Sequence, residues 1–166
     1  VQSLVNFSHT GARGQPESML LSPCVDEAIH LLALNKGARP VQFINRCAAG
    51  TGIIADDQRL LQVFVNLLSN ARDASADHAQ VEIECAQVDA LVHITVTDQG
   101  SGIAREHIDR VFEPFFTTKE PGQGTGLGLA MVYSIVEDLH GHIDIESPVA
   151  EHNRGTRIHV WLPAAA

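Results

Sequence analysis

Asn66, Asn70 and Asp73 stand four and then three residues apart inside a stretch, 56–75, whose apolar residues recur with helical period. On a helical wheel Arg59, Gln62, Asn66, Ser69, Asn70 and Asp73 share one stripe. Leu60, Val63, Phe64, Leu67, Leu68, Ala71 and Ala74 fill the opposite, wider face. A merely solvated stripe favours Glu, Lys, Gln or Arg, and Asn and Asp are mediocre helix formers. Residues so spaced stack on adjoining turns, and amide carbonyl oxygens are hard, neutral donors suited to Mg²⁺ beside a phosphate chain. A second cluster, D-Q-G-S-G-I from Asp98 to Ile103, follows directly on the alternating residues Val92, Ile94 and Val96. A carboxylate only accepts hydrogen bonds. Asp98 therefore suits the exocyclic amine of adenine and would repel the carbonyl that guanine presents there. Gly100 and Gly102 would let backbone approach a flat base or adopt positive φ. The third cluster, G-Q-G-T-G-L-G-L from Gly122 to Leu129, opens another helical pattern. Successive glycine N–H groups at a helix start form an anion cradle suited to phosphates. No G-K-[ST] follows, so it is not a P-loop, and Leu127 occupies the third glycine position of the dinucleotide fingerprint. Lys119, one of only two lysines in the chain, precedes it. Taken singly, each cluster also fits an ordinary structural element: an amphipathic helix, a polar turn, a linker.

The elements that must position these residues are a mixture. Ser22 as N-cap, Pro23 at the first helical position, Asp26 and Glu27 in the first turn and Gly37 beyond predict a helix over 22–36. A short strand is expected at 41–46, the long helix at 56–75, and two hairpin-like strands around Val81, Ile83, Cys85 and around Val92, Ile94, Val96. A short helix near 104–110, a helix over 127–140 closed by Gly141, and a terminal hairpin of 142–146 with 156–162 complete the pattern. The order is not the βαβα alternation of a parallel sheet, so the expected class is α+β, a two-layer sandwich. The opening V-Q-S-L-V-N-F-S-H-T has a weak helical stripe and ends at a linker beginning Gly11.

Composition narrows the function classes. The chain has 166 residues, 45% of them apolar, enough for one core and about one domain. Lys and Arg total 11 against 20 Asp and Glu, a formal charge of -9, which argues against a nucleic-acid-binding module and against a polybasic membrane segment. No stretch reaches the ~20 apolar residues of a membrane span, and no signal peptide opens the chain. Cys24, Cys47 and Cys85 lack C-x-x-C spacing, suggest neither a disulfide framework nor a zinc site, and fit a reducing, cytoplasmic setting. None of the nine histidines has metal-site spacing.

The three clusters in this order resemble the catalytic, ATP-binding domain of bacterial sensor histidine kinases over roughly residues 22–163. F-V-N-L-L-S-N-A-R-D-A resembles that family's N box, D-Q-G-S-G-I its first glycine box, F-E-P-F-F-T-T-K its F box and G-T-G-L-G-L its second glycine box. Gly155-Thr156 resembles the final glycine motif, and the F-F-T-T-K wording is most similar to the nitrogen-regulator-like and hybrid-kinase subgroups. Departures are small: Gln99 where Asn or Thr is common, and Asn153-Arg154 where a glycine often stands.

The resemblance implies a Bergerat-type sandwich, with a mixed, mostly antiparallel sheet covered on one face by helices. It implies ATP and Mg²⁺ as cofactors, and a γ-phosphoryl transfer in which Asn66, Asn70 and Lys119 take part. Asn70 would ligate Mg²⁺ with Asn66 beside it, and Asp98 would bind the adenine amine with Thr156 assisting through water. Gly100 and Gly102, next to Ile103, would admit the base. Gly124, Thr125, Gly126, Leu127, Gly128 and Leu129 would hold phosphates by backbone N–H groups, while Lys119 would reach the γ-phosphate and Phe115 and Phe116 anchor a mobile lid. The role of Asp73 is less defined. Residues 1–21 resemble the stub of a dimerisation and phosphoacceptor hairpin plus linker, 22–163 the catalytic domain and 164–166 a tail. The histidine box is absent and His9 reads as a surface residue, so the expected partners are a histidine-bearing hairpin of the same, homodimeric kinase and a response regulator receiver domain. The resemblance implies no nucleic acid and no membrane contact by this segment, whether or not the parent kinase is membrane-anchored. Gyrase-like or chaperone-like ATPases carry a glutamate at the position of Asn66, and an amide is no base at neutral pH. That argues for transfer over hydrolysis, the alternatives being such an ATPase or a degenerate signalling module.

Overall fold

The computed structural model describes residues 16–35, 37–113 and 128–165. Its elements are β1 (Glu17–Leu20), α1 (Leu21–Ala33), β2 (Gln42–Asn45), β3 (Gly52–Ala55), α2 (Asp57–Ala74), β4 (Gln80–Val88) and β5 (Leu91–Asp98). They continue with α3 (Arg105–Ile108), α4 (Gly128–Asp138), β6 (His142–Glu146) and β7 (Thr156–Pro163). Five strands form one sheet in the order β2-β4-β5-β7-β6, and β1 and β3 pair separately as an antiparallel ribbon. Only the β2–β4 pair in the larger sheet is parallel; the other neighbours run antiparallel.

The period-2 patterning decides which face the helices cover. Val81, Ile83, Cys85, Val92, Ile94, Val96, Ile143, Ile158, Val160 and Leu162 are buried and belong to one core with the helices. The intervening positions, among them Glu82, Glu84, His93, Arg157 and His159, point to the other side. Against the apolar side α2 sets Leu60, Val63, Phe64, Leu67, Leu68 and Ala71, all buried, with its polar stripe turned away from the sheet. Asp56 caps α2, its carboxylate accepting from the N–H of Gln58 at 3.0 Å. The sheet is thus mixed, mostly antiparallel and helix-covered on one face, the α+β sandwich expected.

Several local expectations are corrected. The first helix is Leu21–Ala33, not 22–36, and Leu20 holds the cap position without a side-chain bond. Ser22 instead lies inside the first turn, where its hydroxyl accepts from Asn45 Nδ2 at 3.2 Å. Pro23 also falls in that turn, where its missing N–H leaves no helical bond unmade. The helix expected over 127–140 ends at Asp138; His140, at φ 61°, is its left-handed residue and the Gly141 N–H bonds Val136 O at 2.9 Å.

The boundary at residue 22 cuts through hydrogen-bonded backbone, because β1 lies within the stretch read as linker and pairs with β3. The same holds at 163: the Ala164 N–H donates to Ala90 O at 2.9 Å and the Ala165 N–H to Gly52 O at 3.0 Å. The cysteine reading also changes. Backbone bonds from Arg46 N to Ile83 O and from Ala48 N to Cys85 O extend the parallel β2–β4 register past Asn45, setting Cys47 beside Cys85, and the two form a disulfide. Cys24 is free and buried; burial, then the charges of Glu27 and Asp57, push its thiol up to about 12, so it stays protonated.

Candidate functional site

Asp98 is the last residue of β5 and Thr156 the first of β7, and the antiparallel register sets them opposite each other. Both are buried, at 5% exposure each. One carboxylate oxygen of Asp98 accepts from the Gly100 N–H at 2.9 Å, and the Thr156 N–H also bonds the carboxylate. Burial raises the pKa of Asp98 and outweighs these two bonds, each of which lowers it. The result is an acceptor group fixed in a dry place at a strand end. Gly155, at φ 82°, is essential to this geometry, since a Cβ there would collide with the Asp98 carbonyl oxygen.

Ser147 joins the two loops beside Asp98. Its hydroxyl accepts from the Ile103 N–H at 2.9 Å and donates to Gly155 O at 2.8 Å. Gly102, in the turn that follows β5, adopts φ 78°. Sequence reasoning named Ile103 and Gly102 but missed Ser147, which lies in the 147–155 loop with no motif to mark it.

Gly100 links this end of the site to α2. It packs directly on the Ala74 carbonyl, and the neighbouring Ser101 N–H donates to Ala74 O at 3.1 Å. Asn70 and Asn66 lie four and eight residues back along the same helix, about 6 and 12 Å at the rise of an α-helix. Both are half-buried under the start of α4: a Cβ on Gly128 would lie 3.7 Å from Asn66 Oδ1 and 3.9 Å from Asn70 Nδ2. The Asn66 amide nitrogen donates to Met131 Sδ at 3.6 Å, which leaves its carbonyl oxygen on the Gly128 side. Asn66 thus sets a hard oxygen donor beside the first residue of α4, and Asn70, whose Nδ2 faces Gly128, supplies a second with its amide turned over; on that footing the donor set fits Mg²⁺ with phosphate.

Asn66, Asn70, Asp98, Gly100, Gly102, Ile103, Gly128 and Thr156 thus lie along one path from the end of β5 to the start of α4. Asp73 sits on the same helix but is exposed. Leu129 is partly buried and its side chain packs against the core, so any contact it makes with an anion is through its backbone. Lys119, Gly124, Thr125, Gly126 and Leu127 lie outside the described residues, as do Phe115, Phe116 and the opening helix stub.

Residues 55–166 match the family described as histidine kinase-, DNA gyrase B-, and HSP90-like ATPases. Sensor histidine kinase ZraS of Escherichia coli (strain K12) is 37% identical over 146 residues, which cover 86% of this chain and 30% of that protein. Sporulation kinase A of Bacillus subtilis (strain 168) is 39% identical over 111 residues, 67% of this chain and 18% of that one. Among solved structures, a mycobacterial sensor histidine kinase, MprB, superposes with TM-score 0.78 at 28% identity over 90% of this chain and 97% of that chain. The nucleotide-free catalytic domain of histidine kinase ThkA gives TM-score 0.78 at 28% identity, over 90% and 96%. Fold and family match together define an ATP-binding domain of the two-layer kind. The chain belongs to the histidine kinase-, DNA gyrase B- and HSP90-like ATPases, as a catalytic domain of the sensor histidine kinase type. It spans about a third or less of the curated relatives above.

Proposed function

We propose that this domain holds Mg²⁺-ATP and delivers its γ-phosphoryl to a histidine on a helical hairpin of the same kinase, for onward transfer to a response regulator receiver domain. The observation that carries the reading is the buried Asp98 facing Thr156 at one end of α2, with Asn66 and Asn70 facing Gly128 further along it. Asp98 accepts from the adenine amine, with Thr156 beside it, and Gly100 and Gly102 shape the turn that borders the base. Asn70, supported by Asn66, would hold Mg²⁺, whose role when bound is to neutralise charge on the phosphate oxygens. Lys119 reaches the γ-phosphate, and the backbone N–H groups of Gly124, Thr125, Gly126, Leu127, Gly128 and Leu129 cradle the chain. Asp73 lies at the edge of this arrangement.

Phosphoryl transfer depends mostly on positioning and charge stabilisation. The bond between the γ-phosphorus and its bridging oxygen breaks to leave ADP, and a P–N bond forms to an imidazole nitrogen of the incoming histidine. The amide of Asn66 cannot deprotonate water, so an external nucleophile is required. The parent kinase acts as a homodimer with this domain in the cytoplasm; no described helix is long and apolar enough to cross a membrane.

The test is incubation with γ-labelled ATP, Mg²⁺ and a separately supplied histidine-bearing hairpin of the parent kinase. Label is expected on the hairpin in an acid-labile bond, with release of free phosphate far slower. Phosphate release as fast as labelling would instead favour a hydrolytic ATPase.

A further inference from the structure

Among the described residues Ser147 is the one side chain that bonds both loops flanking Asp98, and its hydroxyl has only one hydrogen to give. That hydrogen is committed to Gly155 O at 2.8 Å, so towards its other neighbours Ser147 Oγ acts as an acceptor. One lone pair takes the Ile103 N–H at 2.9 Å, and the remaining acceptor site faces Thr156 Oγ1 at 3.4 Å. Ser147 therefore cannot donate to Thr156, and where the two hydroxyls bond it is Thr156 that gives the hydrogen. With its single hydrogen turned that way, Thr156 offers the adjoining pocket lone pairs only. Asp98, across the register from it, is an acceptor as well. The two buried groups then present one polarity to whatever lies against them.

We infer that Ser147 is a positioning and specificity-determining residue, fixing the Thr156 hydroxyl as an acceptor so that the pocket selects a base edge carrying an amine over one carrying a carbonyl. The same hydroxyl holds the Gly102–Ile103 backbone against Gly155, so its loss loosens both walls of the base pocket. This inference deepens the adenine reading of Asp98 and Thr156 proposed above and rests on it. Asp98 alone disfavours a carbonyl but leaves the Thr156 rotor free to turn its hydrogen towards one; Ser147 removes that freedom.

The probe pair is ATP and ITP, which differ at the base edge in a six-position amine against a carbonyl and, with it, in N1, an acceptor in adenine and an N–H donor in hypoxanthine. Binding of both is measured by calorimetry on the wild-type chain, Ser147→Ala and Ser147→Thr, with thermal unfolding of each as the control for folding. The wild-type chain is expected to prefer ATP. Ser147→Ala should bind ATP about three- to tenfold more weakly, the range one hydrogen bond commands, and its ATP-over-ITP preference should fall by a similar factor. Ser147→Thr, which keeps the hydroxyl, should restore the preference. A merely structural serine would weaken ATP and ITP alike, so an unchanged preference in Ser147→Ala overturns the inference while leaving the adenine reading intact. A wild-type chain that binds ATP and ITP equally overturns the adenine reading and this inference with it. If Ser147→Ala does not fold, Thr156→Val reads the same polarity, and an unchanged preference in that variant is equally fatal.

Discussion

At Asp98 two tendencies oppose each other. Removal from water favours the protonated acid, and the N–H groups of Gly100 and Thr156 favour the carboxylate; the first prevails and the pKa stands above the ordinary aspartate range. The sign for stability follows. An acid whose folded pKa is raised binds its proton more tightly when folded, so stability declines as pH rises from the unfolded pKa through the folded one and stays lower above it. Asp98→Asn removes that penalty and keeps one acceptor oxygen. Its melting temperature at neutral pH should equal or exceed that of the wild type, an advantage that disappears in acid. Its ATP affinity should nevertheless collapse, because the amide can present a donor where the adenine amine needs an acceptor. For the wild type, ATP affinity should weaken on acidification from a higher pH than an ordinary aspartate would give. Calorimetry across that range checks this, and affinity independent of pH at Asp98 would remove it from the base pocket.

At the scale of the element, α2 carries the argument: one face holds the core through Phe64, Leu67 and Leu68 while the other shows Asn66 and Asn70 to α4. The two faces separate folding from chemistry. Alanine is the better helix former, so Asn70→Ala should shift the urea unfolding free energy by about 1 kcal/mol or less. Its Mg²⁺-dependent phosphotransfer should fall by more than about tenfold, as when a group that holds or orients a metal is lost. Normal rates with normal Mg²⁺ dependence would take Asn70 out of the metal site. This division was legible in the sequence because an 18-residue helix repeats its pattern over five turns. Glu17–Leu20 and Gly52–Ala55 have too few alternations to show a period, and unlike the equally short Gln42–Asn45, which was expected, they are recognisable only once they pair with each other in three dimensions. The role of Ser147 was hidden for a related reason. Its bonds reach Ile103, 44 residues away, and Gly155 across a loop, and neither distance leaves a local trace. Asp98, Gly100 and Gly102 were legible because a strand end followed by two glycines is a local signal.

Across the whole molecule, the sheet brings together what the chain keeps apart, and the cysteines show the consequence. Cys47 and Cys85 are 38 residues apart, with no motif between them, yet the parallel β2–β4 register makes them neighbours. Closing a loop of that length restricts the unfolded chain and should contribute about 2–4 kcal/mol. The crosslink lies between β2 and β4, on the far side of β5 from the Asp98–Thr156 pair, which spans β5 and β7. Reduction should therefore separate stability from binding. Urea unfolding with and without dithiothreitol is expected to differ by that amount, with m rising on reduction because the unlinked unfolded chain exposes more surface, while ATP affinity by calorimetry stays the same. Cys47→Ser should reproduce the reduced stability and lose its response to reductant. Under reducing conditions the domain would be in the less stable, dithiol form, and the register would still hold the two side chains together, because backbone bonds from Arg46 and Ala48 to β4 set it. If reductant leaves unfolding unchanged, the pair is not joined in solution and the core alone supplies the stability. If it weakens ATP binding at unchanged fold, the edge of the sheet communicates with the site, and the independence argued from strand order fails.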